Sequence, residues 1–149
     1  MAFHISLKSV SKGDVVLIFS PNSILFPVAF LAVTSIGAIA TTANPLYTVK
    51  ELSHQISDSK LKLIITVDQL FSKVNGFNLP IINLGNFSDL IEKSRNHAAL
   101  SPSVSQSDVV AILYSSGITG LSKGVVLTHR SIIATALMVT SHQEFYKEG

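Results

Sequence analysis

No Asp, Glu, Lys or Arg occurs from Val15 to Val49, a window of 35 positions. A stretch so poor in charge must leave water, and two architectures allow it. It can cross a membrane as one helix, which takes about 20 mostly apolar residues. It can also supply inner strands and a covering helix to a packed sheet. The centre, Ile24-Leu25-Phe26-Pro27-Val28-Ala29-Phe30-Leu31-Ala32-Val33, is apolar enough for the first. A membrane-anchored protein with a span near 24–43 is therefore one expectation. The punctuation favours the second. Pro21 and Pro27 stand near the start, Gly37 interrupts, and Thr34, Ser35, Thr41 and Thr42 dilute the second half. No aromatic and basic anchors flank the run. A buried strand, a helix and another strand accommodate all of these residues.

The rest of the chain continues that alternation. Asp14–Ser20 reads as a strand buried on both faces, bounded by Gly13 and Pro21. Ser23 is positioned to cap a helix over about Ile24–Ile36, with Pro27 in its first turn and Gly37 at its end. Ala38–Thr42 is a second strand. Thr48 and Glu51 stand three apart as a capping box for a helix running through Leu52, Gln55 and Ile56 to about Ser59. Leu61–Val67 is a third strand, Asp68 starts a brief helical turn through Leu70 and Phe71, and Ile81–Leu84 is a fourth strand. Ser94 to Asp108 loses periodicity and reads as an exposed connector. Thr128 caps a last helix toward Tyr146, with Ile132, Ile133, Ala136, Leu137 and Phe145 on or near one face. The sequence has no internal repeat. Strand–helix–strand alternation predicts an α/β fold with a largely parallel sheet flanked by helices.

Between the last two strands lies Ser115-Ser116-Gly117-Ile118-Thr119-Gly120-Leu121-Ser122-Lys123-Gly124. It follows the apolar run Val109–Tyr114 and precedes Val125-Val126-Leu127, which reads as a further strand. Glycines let a backbone fold tightly and bring its N–H groups close to an anion. Ser115, Ser116, Thr119 and Ser122 add hydroxyls, and Lys123 adds a point positive charge suited to phosphate. A polyphosphate grip is the leading reading, and an ordinary Gly/Ser turn between strands is the alternative. The spacing G-x-x-G-x-x-K-G differs from the helix-opening G-x-x-x-x-G-K-[ST] loop. Without a helix behind it, the grip depends on backbone N–H groups and hydroxyls.

Tyr114 to Ser131, YSSGITGLSKGVVLTHRS, resembles the phosphate-binding signature of the adenylate-forming superfamily of acyl-CoA synthetases, luciferases and peptide-synthetase adenylation domains. Gly13–Val16, Phe19–Ser23, Gly37–Thr48 and Ser57–Val67 resemble the plant 4-coumarate–CoA ligase and ligase-like group. The resemblance runs from about Ser11 to about Thr140. It implies part of the large N-terminal domain of an acyl-CoA synthetase-like fold, with 1–149 a partial domain truncated at both ends and 94–108 a connector. The implied reaction activates a carboxylic acid with ATP to an acyl-adenylate, then transfers the acyl group to coenzyme A. The implied acids are phenylpropanoid or fatty, oxylipin-type carboxylic acids. It implies ATP contacts at Ser115, Ser116, Gly117, Ile118, Thr119, Gly120 and Lys123, a Mg2+ whose protein ligand is absent from this chain, and no catalytic residue within it. Ile118 departs from the family, which usually has Thr or Ser there. The family's later elements for adenine, magnesium and the catalytic lysine are also missing. The chain alone is therefore expected to be inactive, and a truncated, non-catalytic gene product is a second expectation.

Composition narrows the other classes. Charged residues make up 13% of the chain, against about 25% in ordinary globular domains. Such a shortage is what a chain covered by more protein would show. The formal charge of +2 comes from scattered Lys and Arg, so no nucleic-acid partner is implied. The absence of cysteine excludes disulfides and thiolate zinc sites. The N-terminus lacks a secretory pattern, and a cytoplasmic or peroxisomal, non-secreted protein is expected. The five histidines share no metal-ligand spacing, and His129 reads as a capping or packing residue. Asp14 and Asp108 stand just before strands, as turn residues do. Phe26, Phe30 and Phe71 are expected in the core.

Overall fold

A computed structural model describes residues 10–86, 102–115 and 122–145. The strand β1 (Val15–Phe19) is buried along its whole length. Burial on both faces is why its sequence, VVLIF, shows no apolar–polar alternation. Parallel partners lie on each side. The strand β2 (Ile39–Thr42) pairs Val15 with Ile39 and Leu17 with Thr41, and β3 (Leu63–Thr66) pairs Val16 with Leu63 and Ile18 with Ile65. Beyond β3 lies β4 (Ile81–Asn83), also parallel, and beyond β2 lies parallel β5 (Val109–Ser115). The strand β6 (Lys123–Thr128) closes the row antiparallel to β5. The sheet order is β4-β3-β1-β2-β5-β6. The expected α/β architecture, mostly parallel with flanking helices, is what the described residues form.

Two helices follow from the direction of travel. The chain steps one way from β1 to β2 and the other way, past β1, from β2 to β3. Right-handed crossovers then put the intervening helices α1 (Leu25–Ser35) and α2 (Val49–Ser59) on opposite faces. Side chains sort accordingly. Val16, Ile18, Leu63 and Ile65 pack with Ala29 and Val33 of α1. Val15, Leu17, Phe19 and Ile64 pack with Leu52 of α2 and with Leu70 and Val74 of α3 (Asp68–Val74). Helix α4 (His129–Phe145) follows β6.

The local signals worked to different degrees. Thr48 and Glu51 form the capping box: the Glu51 N–H donates to Thr48 Oγ1 at 3.3 Å, and the Thr48 N–H donates to Glu51 Oε2 at 2.7 Å. Gly37 takes φ +73, and a Cβ there would come within 2.9 Å of Lys12 Cγ, so glycine is required at that turn. The Ser23 cap is corrected. Ile24 is the N-cap of α1, with no side-chain cap bond, and Ser23 contributes its backbone carbonyl to the Phe26 N–H. The brief turn expected at Asp68 is a helix of seven residues, because Leu70 and Val74 both find the core. Phe71 is corrected too: on that short helix it falls on the outer side and is 42% exposed. Phe26 and Phe30 do pack against the core.

The membrane-span alternative fails for a geometric reason. Residues 24–43 are divided among α1, the Gly37 turn and β2. Among the described residues no helix is long and apolar enough to cross a membrane. Of the expected connector, 94–101 lies outside the described residues, and 102–108 is irregular with a turn ahead of β5.

Candidate functional site

The hairpin β5–β6 carries the candidate site. Its last cross-strand pairs are Leu113 with Val125, Tyr114 with Gly124 and Ser115 with Lys123. Because β5 runs parallel to β2, the connection between Ser115 and Lys123 leaves from the C-terminal end of the parallel strands. In open α/β sheets that end is where ligands sit. Ser116, Gly117, Ile118, Thr119 and Gly120 lie outside the described residues. Ser115 and Lys123 are placed, directly opposite one another and both exposed. A hydroxyl and an ammonium thus flank the mouth of the loop, with five donor-bearing or glycine-rich positions between them in sequence.

Alternation along the strands puts Ser115 and Lys123 on one face of the hairpin and Tyr114 on the other. The Tyr114 side belongs to the α2 face, where Ile112 also packs. The Tyr114 hydroxyl donates to Asp58 Oδ2 in the last turn of α2. Burial, then the hydrogen bond to Asp58 and its charge, push the phenol up to about 12, while Ser59 pulls the other way. One turn earlier in α2, buried Gln55 donates through Nε2 to Thr41 Oγ1 at 3.0 Å and to the Thr42 carbonyl at 3.1 Å. Thr41 Oγ1 in turn donates to the Ile112 carbonyl at 2.6 Å. Gln55 Oε1 is buried with no hydrogen-bond partner among the described residues. These polar ties join α2 to β2 and β5 beneath the site. Gln55 was visible in the sequence only as a helix position and Tyr114 only as a strand end opening the signature-like stretch, since nothing local marks their partners.

The other end of the hairpin is held by charge. Lys12 Nζ lies 2.7 Å from Asp108 Oδ2, and the Ser105 N–H donates to the same oxygen at 2.7 Å. The hydrogen bond from Lys12 first, then that from Ser105, holds the Asp108 carboxyl below the usual carboxylate range. Asp108 is therefore a turn residue, as expected, and also the partner of a distant lysine. The Asp108 carbonyl accepts from the His129 N–H at 3.1 Å, and the Gln106 carbonyl from the Arg130 N–H at 2.9 Å. Thr128 caps α4 as expected, its Oγ1 accepting from the Ser131 N–H at 3.3 Å. His129 is part-buried beside this cap, with Nε2 buried and without a hydrogen-bond partner among the described residues. Among the described residues no group of three or more histidine or acidic side chains could hold a metal ion.

A mostly parallel sheet flanked by helices on both faces defines the class: an α/β protein. The profile of the AMP-binding enzyme family matches residues 1–148, and the chain belongs to that family. It is 44% identical to 4-coumarate--CoA ligase-like 2 of Arabidopsis thaliana, over 84% of this chain and 26% of that protein. It is also 44% identical to peroxisomal OPC-8:0-CoA ligase 1 of the same plant, over 84% of this chain and 25% of that protein. The chain thus spans about a quarter of the length of these relatives. Among solved structures it is similar to the N-terminal domain of FACL13 from Mycobacterium tuberculosis, at 29% identity and a TM-score of 0.68, over 86% of this chain and 34% of that one.

Proposed function

We propose that the hairpin end between Ser115 and Lys123 grips the β- and γ-phosphates of ATP in an acid–CoA ligase. The observation that carries this is the opposition of Ser115 and Lys123 across β5 and β6, at the carboxyl end of the parallel strands. In the proposed reaction a substrate carboxylate attacks the α-phosphorus of ATP, forming an acyl-adenylate and releasing pyrophosphate. The thiol of coenzyme A then displaces AMP. The Lys123 ammonium and the Ser115 hydroxyl stabilise charge on the departing pyrophosphate and perform no covalent chemistry. Backbone N–H groups and hydroxyls of Ser116, Gly117, Thr119 and Gly120 complete the grip, with Ile118 among them. A Mg2+ ion would neutralise charge on the phosphates, and among the described residues no group of histidine and acidic side chains could hold it.

The relatives' names support an acid of the phenylpropanoid or fatty, oxylipin type, since one is called a 4-coumarate–CoA ligase-like protein and the other an OPC-8:0-CoA ligase. The second name also supports a peroxisomal location, with cytoplasm the alternative. A chain spanning a quarter of such enzymes is proposed to bind ATP without completing the reaction.

Titration of the 149-residue chain with ATP tests the grip. Lys123→Ala is expected to weaken binding about tenfold or more, the order of one charge-assisted contact. Ile118→Thr, which restores a hydroxyl, is expected to tighten it about tenfold. Unchanged ATP affinity in Lys123→Ala would overturn the assignment. Acid-dependent exchange of labelled pyrophosphate into ATP by the chain would show that it is active by itself.

A further inference from the structure

The phosphate end of the hairpin projects beyond its neighbours. Pairing of β5 with β2 stops at Leu113, so among the described residues Tyr114 and Ser115 pair with β6 alone, through Gly124 and Lys123. On the other side β6 ends the row, with Val125 and Val126 more than half exposed. The ladder alone therefore holds this end weakly, although Ser115 and Lys123 depend on its position.

One side chain ties it down from behind. Tyr114 precedes Ser115, stands opposite Gly124, and reaches Asp58 on α2 across 56 residues of sequence. Gly124 makes room for this arrangement. A Cβ at that position would lie 2.8 Å from Ile112 Cγ2 and 3.3 Å from Tyr114 Cζ. The helix that receives the bond is itself anchored. Gln55 Nε2 joins it to Thr41 Oγ1 and the Thr42 carbonyl of β2. We propose that the Tyr114–Asp58 hydrogen bond, seated over Gly124, is a latch that fixes the Ser115–Lys123 end of the hairpin against α2 for phosphate binding. Tyr114 is a positioning residue: it occupies the face opposite Ser115 and Lys123 and acts through them. The latch rests on the phosphate-binding reading given above.

Two readouts on the 149-residue chain separate the latch from that reading. Amide hydrogen exchange follows the hairpin with no ligand present, and ATP titration follows its use. Tyr114→Phe removes only the hydroxyl. It is expected to accelerate exchange of the paired amides in 112–115 and 123–126 at least threefold, leaving β1 and β3 unchanged. It is also expected to weaken ATP binding about tenfold, the order of one hydrogen bond to a charged acceptor. Asp58→Ala should do the same, the double variant should be no worse than either single one, and Asp58→Asn, which keeps an acceptor oxygen, should stay near wild type. Exchange and affinity both unchanged in Tyr114→Phe would show that there is no latch. Faster exchange with unchanged affinity would overturn the positioning role and leave Tyr114 a packing residue. Failure of the wild-type chain to bind ATP at all would overturn the phosphate reading, and the positioning role with it. The exchange data would still report whether Tyr114 holds the hairpin.

Discussion

The strands β1 and β6 use similar side chains and meet opposite environments. Val16, Leu17, Ile18 and Phe19 of β1 have no exposed surface, while Val125 and Val126 of β6 are 51% and 57% exposed. Helix α4 shares the outer position, with Leu137 and Met138 at 64% and 67%. Between them β5 grades from buried Val110 and Ala111 to exposed Leu113 and Ser115. The difference is one of neighbours. The strand β1 has a strand on each side and a helix on each face, whereas β6 has one neighbouring strand among the described residues. Stability in this chain therefore concentrates around β1. The region proposed to bind phosphate lies on the thinly covered side, held by the Asp108–Lys12 ion pair at one end and Tyr114–Asp58 at the other.

That contrast can be broken most directly at its extremes. Phe19→Ala empties a fully enclosed site and is expected to cost about 3–5 kcal/mol, read as the shift in a denaturant midpoint. A cost below about 1 kcal/mol would mean that β1 is not the stabilising centre. Gly124→Ala probes the middle ground. Crowding Ile112 and the Tyr114 ring is expected to cost about 1–3 kcal/mol by the same measurement, and an unchanged midpoint would show that the ring has room to move.

Smaller effects are expected at the cap of α2 and on the outer side. Thr48→Ala removes one half of the capping box and should cost about 1 kcal/mol. Leu137→Ala should fall within about 0.5 kcal/mol of wild type, as surface changes do. The paired change Val126→Thr with Leu137→Ser should reduce binding of a hydrophobic dye, since apolar patches of a few hundred Å² attract such probes. Equal dye fluorescence in the variant would place the sticky surface elsewhere.

The smallest expected effect depends on pH. The Thr48 backbone and side-chain hydrogen bonds hold the Glu51 carboxyl below its ordinary value of 4.5. A depressed carboxylate contributes stability that is present above 4.5 and is lost as pH falls through the lower folded value. The wild-type advantage over Glu51→Gln should therefore hold at neutral pH and shrink on acidification below 4.5. An advantage that grows as pH falls would reverse the assigned sign.

Much of the fold could be read locally. Gly13, Pro21, Gly37 and the Thr48–Glu51 box act within a few residues of themselves, and each marks an element boundary close to where it occurs. Apolar runs without alternation marked strands, covered on both faces in β1 but exposed in β6. Ser23 is not the cap because a capping residue type does not guarantee the capping position: the helix begins at Leu25, which leaves Ile24 as the N-cap with no side-chain bond. Phe71 was misjudged because a seven-residue helix buries one side only, and a single aromatic does not say which side that is.

The candidate site was legible in the same local way, as ten residues holding four hydroxyls, three glycines and one lysine after a strand-like run. The amino-acid sequence by itself determined the alternation of strands and helices, the caps and turns, and the residue types available to a phosphate, because those depend on neighbours a few positions away. Only the tertiary structure decided the strand order and which apolar runs are covered. It alone brings Asp108 to Lys12, Gln55 to Thr41 and Tyr114 to Asp58. Those contacts join groups 96, 14 and 56 residues apart. They arise when crossovers of opposite direction fold two helices onto opposite faces of one sheet, a placement that no short window of the chain encodes.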